Sequence, residues 1–158
     1  MDFSTYVAQR RTRLVRTAVL LGCPRGDAED IVQTALLRCY RSWRRVSRAD
    51  NPDAYVHRVL VTTLIDARTR RWNGELPTDD LPEPRPADDA GWASGIAVRR
   101  ALAAMSPDHR EVLVLRFWAD LSERDTAVAL GVAPGTVKSR TARALRALAP
   151  LVEAPDAH

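Results

Sequence analysis

With 158 residues and a formal net charge of +4, the chain is long enough for one domain or for two small ones with limited cores. No apolar run reaches membrane-spanning length, Met1-Asp2-Phe3-Ser4 has no basic-then-apolar signal pattern, and Cys23 and Cys39 form neither a CxxC pair nor a Cys/His cluster. The expectation is a cytoplasmic protein with two buried thiols and no disulfide framework or zinc site. Charge is uneven: residues 1–72 carry 14 Lys/Arg against 7 acids, 73–92 one Arg against six acids, and 93–158 nine against seven. Two basic segments flanking an acidic one point to a polyanionic partner touched at two places.

The first predicted helix covers residues 3 to 21, with Phe3, Tyr6/Val7, Leu14, Ala18 and Leu21 on one stripe, and ends at Gly22. Asp27 reads as the N-cap of a second helix whose stripe is Ala28, Ile31/Val32, Ala35/Leu36, Cys39 and Trp43. Its acids at the start and Arg44/Arg45 at the end both complement the helix dipole. A loop, Ser47–Asp50, precedes Asn51-Pro52, an N-cap followed by a first-turn proline. The third helix runs to about Arg71, with Val56, Val59/Leu60, Leu64 and Ala67 inward and Tyr55, Arg58 and Thr62 on another face.

Residues 73–92 contain four prolines and six acids without periodicity, which predicts an extended tether with no core of its own. Four helices follow. The first spans about 94–105; the second spans 107–118, is capped by Ser106-Pro107 and has Val112, Leu113, Leu115, Phe117 and Trp118 as its apolar residues. Ser122 is placed to cap the third, with Asp125 as the acidic half of a capping box, and Gly131 supplies the turn. Pro134 opens the fourth, and Ala127, Leu130, Val132 and Val137 form the seam between the two. That pattern is a helix-turn-helix whose second helix exposes Thr136, Ser139 and basic residues toward a DNA major groove. The other reading of the same stretch is a helical hairpin with a solvated basic face. Pro150 is expected to end the last helix, leaving 151–158 as a frayed tail.

Three blocks resemble the extracytoplasmic-function (ECF) sigma factors of bacterial RNA polymerase, closest to a SigE-like actinobacterial group. Asp27 to Arg38 resembles sigma region 2.2, Asn51 to Val59 with Ile65-Asp66 resembles regions 2.3 and 2.4, and Leu102 to Arg146 resembles region 4. The resemblance implies an all-α protein of two small helical domains: region 2 over 1–72 as a three-helix unit and region 4 over 93–150 as a helix-turn-helix unit. An extended acidic, proline-rich linker (73–92) joins them, and 151–158 form a tail. It implies a non-enzymatic subunit without catalytic residues, metal or cofactor, which brings core polymerase to promoters and aids their melting. Its implied partners are core RNA polymerase (β′ clamp helices and β flap) and promoter DNA, with an anti-sigma factor left open.

By the same resemblance, Asp30, Gln33, Thr34, Leu37 and Arg38 contact core polymerase. Arg44, Arg45, Arg48, Asn51, Tyr55, His57, Arg58 and Thr62 serve the −10 element. Thr136, Lys138, Ser139, Arg140, Arg143 and Arg146 serve the −35 element. Tyr55 stands where the family commonly has Trp, His57 where an aromatic is common, and Thr62 where Asn is frequent. Asp125-Thr126 replaces a frequent Glu-Ile, and Ala133 replaces a capping Ser at a cost of about 1 kcal/mol. The alternative is an autonomous helix-turn-helix regulator, which would need a sensing or dimerising N-domain in place of the 27–71 blocks.

Overall fold

The computed structural model describes residues 1–72 and 95–153; the expected linker, 73–92, and the end of the expected tail lie outside them. All regular elements among the described residues are helical. They are α1 (Phe3–Leu20), α2 (Arg25–Arg41), α3 (Trp43–Ser47), α4 (Pro52–Trp72), α5 (Ile96–Ala104), α6 (Pro107–Leu113), α7 (Glu123–Leu130) and α8 (Pro134–Glu153). A π-helical turn, Val114–Trp118, continues α6.

In the N-terminal unit α2 packs on both α1 and α4. Leu14, Ala18, Val32, Leu36, Val56 and Leu60 are all buried there. Each large aliphatic side chain so placed stabilises the fold by about 1.5–3 kcal/mol. Gly22 follows the end of α1 with φ +101°, a left-handed conformation costly for any residue with a Cβ. The second helix differs from expectation at both ends. It starts at Arg25, because Pro24 takes the extended conformation of the cap, so Asp27 lies within the first turn. There it faces the helix dipole rather than capping it. At the other end the chain kinks at Ser42 (φ −119°, ψ 23°), and Trp43 begins a separate short helix. The kink swings the Trp43 ring onto Phe3 (5.4 Å, edge-on) and Tyr6 (5.2 Å).

In the C-terminal unit Ser106 and Ser122 cap their helices, accepting from the His109 and Asp125 backbone N–H groups. Gly131 adopts φ +68° at the turn. Ala127 and Val137 are buried in the seam between α7 and α8, as the spacing requires. Two expectations fail. Phe117 is 59 % exposed, because the wider π turn rotates it out while Val114 and Leu115 stay buried. Pro150 does not end α8, which continues to Glu153. A proline so close to the helix terminus removes one backbone bond where few remain to be lost.

The two units do not stand apart. One buried cluster runs from Leu14 and Leu60 to Leu115, Leu121 and Ala129, and α7 packs along α4. Cys23 and Cys39 are buried and form no disulfide with each other, and burial pushes the Cys39 thiol up to about 11.

Candidate nucleic-acid and polymerase interfaces

The outer face of α2 carries Asp30, Gln33, Thr34 and Leu37, all exposed. Leu37 is 56 % exposed, which removes the reading of it as a core residue. Tyr40, one turn further, is 59 % exposed and rests on Phe3 at 4.9 Å. It completes a small apolar patch that sequence reasoning missed, although its i+3 spacing from Leu37 was available as a signal. Arg38 is not part of that open surface. Its guanidinium donates to Thr63 Oγ1 (3.1 Å) and Asp66 Oδ2 (3.0 Å), tying α2 to α4.

Beyond the kink, Arg44, Arg45, Arg48 and Tyr55 line a groove of about 680 Å³, together with Arg41, Ser42 and Ala49. Arg41 was not expected there; only the break at Ser42 turns α3 so that its arginines face back across α2. Four guanidinium groups beside one phenol ring suit a single strand, whose phosphates need cations and whose bases need a stacking surface. Arg58 and Thr62 are exposed one turn apart on the α4 face that Tyr55 begins.

Asn51 and His57 lie elsewhere. Asn51 Oδ1 accepts from the Asp53 N–H (3.1 Å), the expected N-cap, while its Nδ2 donates to Asp125 Oδ2 (2.8 Å) in the other unit. His57 is buried, with Nδ1 2.6 Å from the Asp53 carbonyl. Burial pushes its pKa below the ordinary histidine value, with Arg10 and Arg13 adding to the effect. It therefore does not face a strand in this arrangement. Beneath it, Tyr6 Oη donates to Asp53 (2.7 Å), and burial followed by that hydrogen bond raises the phenol pKa far above normal.

On α8, Val137 and Ala144 are fully buried and seat the helix. Lys138, Ser139, Arg143 and Arg146 are exposed, and Thr136 and Arg140 are half-buried at its edge. No acid occurs between Pro134 and Pro150, so every charge on the exposed face of this stretch is positive. Arg143 folds back to donate to Ser139 Oγ at 3.3 Å, a weak bond that a base edge can replace. The Ala133 carbonyl accepts from Thr136 and Val137, so backbone alone closes the first turn.

The family models for Sigma-70 region 2 and Sigma-70 region 4 match residues 3–74 and 96–148. The RNA polymerase sigma-E factor of Streptomyces coelicolor is 39% identical, over 94% of this chain and 84% of its own length. The ECF RNA polymerase sigma factor SigM of Mycobacterium tuberculosis is 35% identical, over 95% and 76%. The chain belongs to the ECF sigma factors. Its fold agrees: the sigma factor RpoE, solved with the anti-sigma factor NepR from Bartonella quintana, superposes with a TM-score of 0.81 at 25% identity, covering 96% of this chain and 97% of that one. CnrH, solved with the cytosolic domain of CnrY, gives 0.65 at 25% identity, over 98% and 89%. The α2 patch and the arginine groove thus fall in region 2, and the basic helix falls in region 4. Region 4 also holds an apolar groove of about 410 Å³ between Val98, Leu102, Phe117, Leu145 and Leu148. Leu20 of α1 also lines it, so it forms only where the end of α1 meets the packed helices of the C-terminal unit, and sequence periodicity carried no signal for it.

Proposed function

We propose that this sigma factor binds core RNA polymerase, carries it to promoters by reading −10 and −35 elements, and helps to open the duplex. The observation that carries this is the presence on one chain of two different nucleic-acid surfaces. One is an arginine groove with an aromatic floor, suited to a single strand; the other is a basic helix with no acid before Glu153, set in a helix-turn-helix and suited to a duplex. An autonomous regulator would have no use for the first, and residues 3–74 match sigma region 2.

In this reading 1–72 form the core-binding and −10 unit, 73–92 the linker, 93–150 the −35 unit and 151–158 the tail. Leu37, with Asp30, Gln33 and Thr34, docks on the β′ clamp helices, and Tyr40 enlarges that patch. Arg44, Arg45 and Arg48 hold phosphates while Tyr55, Arg58 and Thr62 meet the displaced −10 strand. Lys138, Ser139 and Arg143 read base edges, and Arg140, Arg146 and Thr136 hold the −35 backbone. The apolar region 4 groove seats the β flap. An anti-sigma factor, such as the one bound to the RpoE relative, is a further partner in this reading. The chain contributes binding, RNA synthesis stays with the core enzyme, and the setting is the cytoplasm.

The test is transcription by core polymerase with and without the chain, from a pool of randomised promoters. Enrichment of templates sharing two elements at constant spacing, only when both components are present, is the expected result. Site-specific binding by the chain alone, with no gain from core, would overturn the assignment.

A further inference from the structure

Of the 24 Lys and Arg residues in the chain, Lys138 is the one lysine. It is the fifth residue of α8 and is exposed, on the face turned outward when Val137 and Ala144 pack in. Its neighbours one turn away on that face, Pro134, Gly135 and Ala142, are too short to cover it. Arg143 and Arg146 are exposed with it, and α8 itself offers its ammonium no carboxylate before Glu153.

An amine and a guanidinium differ in chemistry as well as shape. Arginine keeps its proton at any physiological pH and is no nucleophile, whereas a lysine amine reacts through its small neutral fraction. The strongest other nucleophiles, the Cys23 and Cys39 thiols, are 5 % and 0 % exposed, and burial favours the protonated form of Cys39. The one side-chain nitrogen able to form a stable amide with an acyl group from solvent is therefore Lys138 Nζ.

We propose that Lys138 is an acylation site, that its donor is an acyl phosphate, and that the modification turns off reading of the −35 element. The last step rests on the function proposed above; the modification itself does not. Charge selects the donor. An acyl phosphate is an anion, and Arg143 and Arg146 concentrate it beside the amine as they would a DNA phosphate. The neutral Nζ attacks the carbonyl carbon, an N–C bond forms and the C–O bond to the phosphate breaks. Inorganic phosphate leaves with the electron pair, and the displaced amine proton passes to water. An ammonium with three donors becomes a neutral amide with one N–H. Lys138 thereby loses the charge and the donors that a guanine edge requires.

The test begins with the free full-length chain, treated with acetyl phosphate, freed of it and then combined with untreated core polymerase. Peptide mass spectrometry should find acetyl groups on Lys138 as well as on the Met1 amine. Arg143→Ala with Arg146→Ala should slow labelling of Lys138 and leave that of Met1 unchanged. A chain carrying Lys138→Nε-acetyllysine, installed during synthesis, gives the fully modified state and should transcribe at least fivefold less than the unmodified chain. Lys138→Arg, measured against its own untreated level, should lose nothing on treatment, since only its Met1 amine reacts. A Met1 adduct without one on Lys138 would overturn the site, and labelling of Lys138 as fast without the two arginines would overturn the choice of donor. Full transcription by the acetyllysine chain, or an equal loss on treating Lys138→Arg, would overturn the switch. A failed sigma assignment is distinguishable from each of these, because the unmodified chain would then direct no transcription while the adducts could still be mapped.

Discussion

Leu36 and Leu37 are adjacent in sequence and opposite in environment, which makes them a sharp test of the proposed polymerase surface. Leu36 is 5 % exposed inside the α1–α2–α4 core, and Leu37 is 56 % exposed on the outer face of α2. Leu36→Ala should remove a buried side chain and leave a cavity, at a cost of about 2–5 kcal/mol. For a chain of this size that lowers Tm by about 5–15 °C. Leu37→Ala should leave Tm within about 2 °C, because more than half of its surface stays in water in the folded chain. Its exposed half is what a partner could cover. Half of the 1.5–3 kcal/mol for a fully buried leucine is about 0.8–1.5 kcal/mol, or about four- to twelvefold in Kd for core polymerase. Differential scanning calorimetry and fluorescence-anisotropy titration of labelled protein with core enzyme measure the two quantities. The reasoning fails if Leu37→Ala binds core as well as the wild type, or if it melts as early as Leu36→Ala.

His57 makes stability depend on pH. Burial holds its folded-state pKa below 6.5, so between the two values the unfolded chain binds the proton that the folded chain refuses. This contribution is intact above pH 6.5 and is lost as pH falls below it, down to the folded pKa. Urea midpoints at pH 7.5 and 5.5 should differ less in His57→Phe than in the wild type; an equal difference would place the acid sensitivity elsewhere. Arg143→Ala should relax preference at one or two −35 positions by about 1–3 kcal/mol, whereas Arg140→Ala should weaken all sequences alike and flatten the salt dependence. A −35 substitution series that gives the same profile for Arg143→Ala and the wild type counts against base reading. Replacing Arg44, Arg45 and Arg48 with Ala should reduce permanganate reactivity of the −10 strand in the open complex while leaving core binding intact; undiminished melting would remove the groove from promoter opening.

Much of the helix-turn-helix was legible because its determinants are local. Ser122, Gly131 and Pro134 act through backbone geometry within a few residues, and the caps and the turn formed where those residues stand. The basic face of α8 was legible for the same reason, since a 3.6-residue period places Lys138 and Arg143 outward wherever Val137 and Ala144 turn in. The kink at Ser42 was harder to see. Nothing in Cys39–Trp43 forbids a continuous helix; the break forms because it lets Trp43 pack on Phe3 and Tyr6, 37 or more residues away. That rearrangement is what aims Arg44, Arg45 and Arg48 into one groove with Arg41.

The residues that changed role are those whose partners are distant in sequence. Asp125 read as a local cap and instead holds Asn51; Arg38 read as a docking contact and is tied to Asp66; His57 read as a strand contact and lies buried. Composition, caps and periodicity by themselves determined most of the helices and the helix-turn-helix, because each depends on interactions that repeat every few residues. Only the tertiary structure decided which polar side chains stay free for a partner. A side chain's exposure depends on what other helices lay against it, and contacts spanning 28 to 101 residues of sequence, from Arg38–Asp66 to Trp118–Thr17, have no local signature.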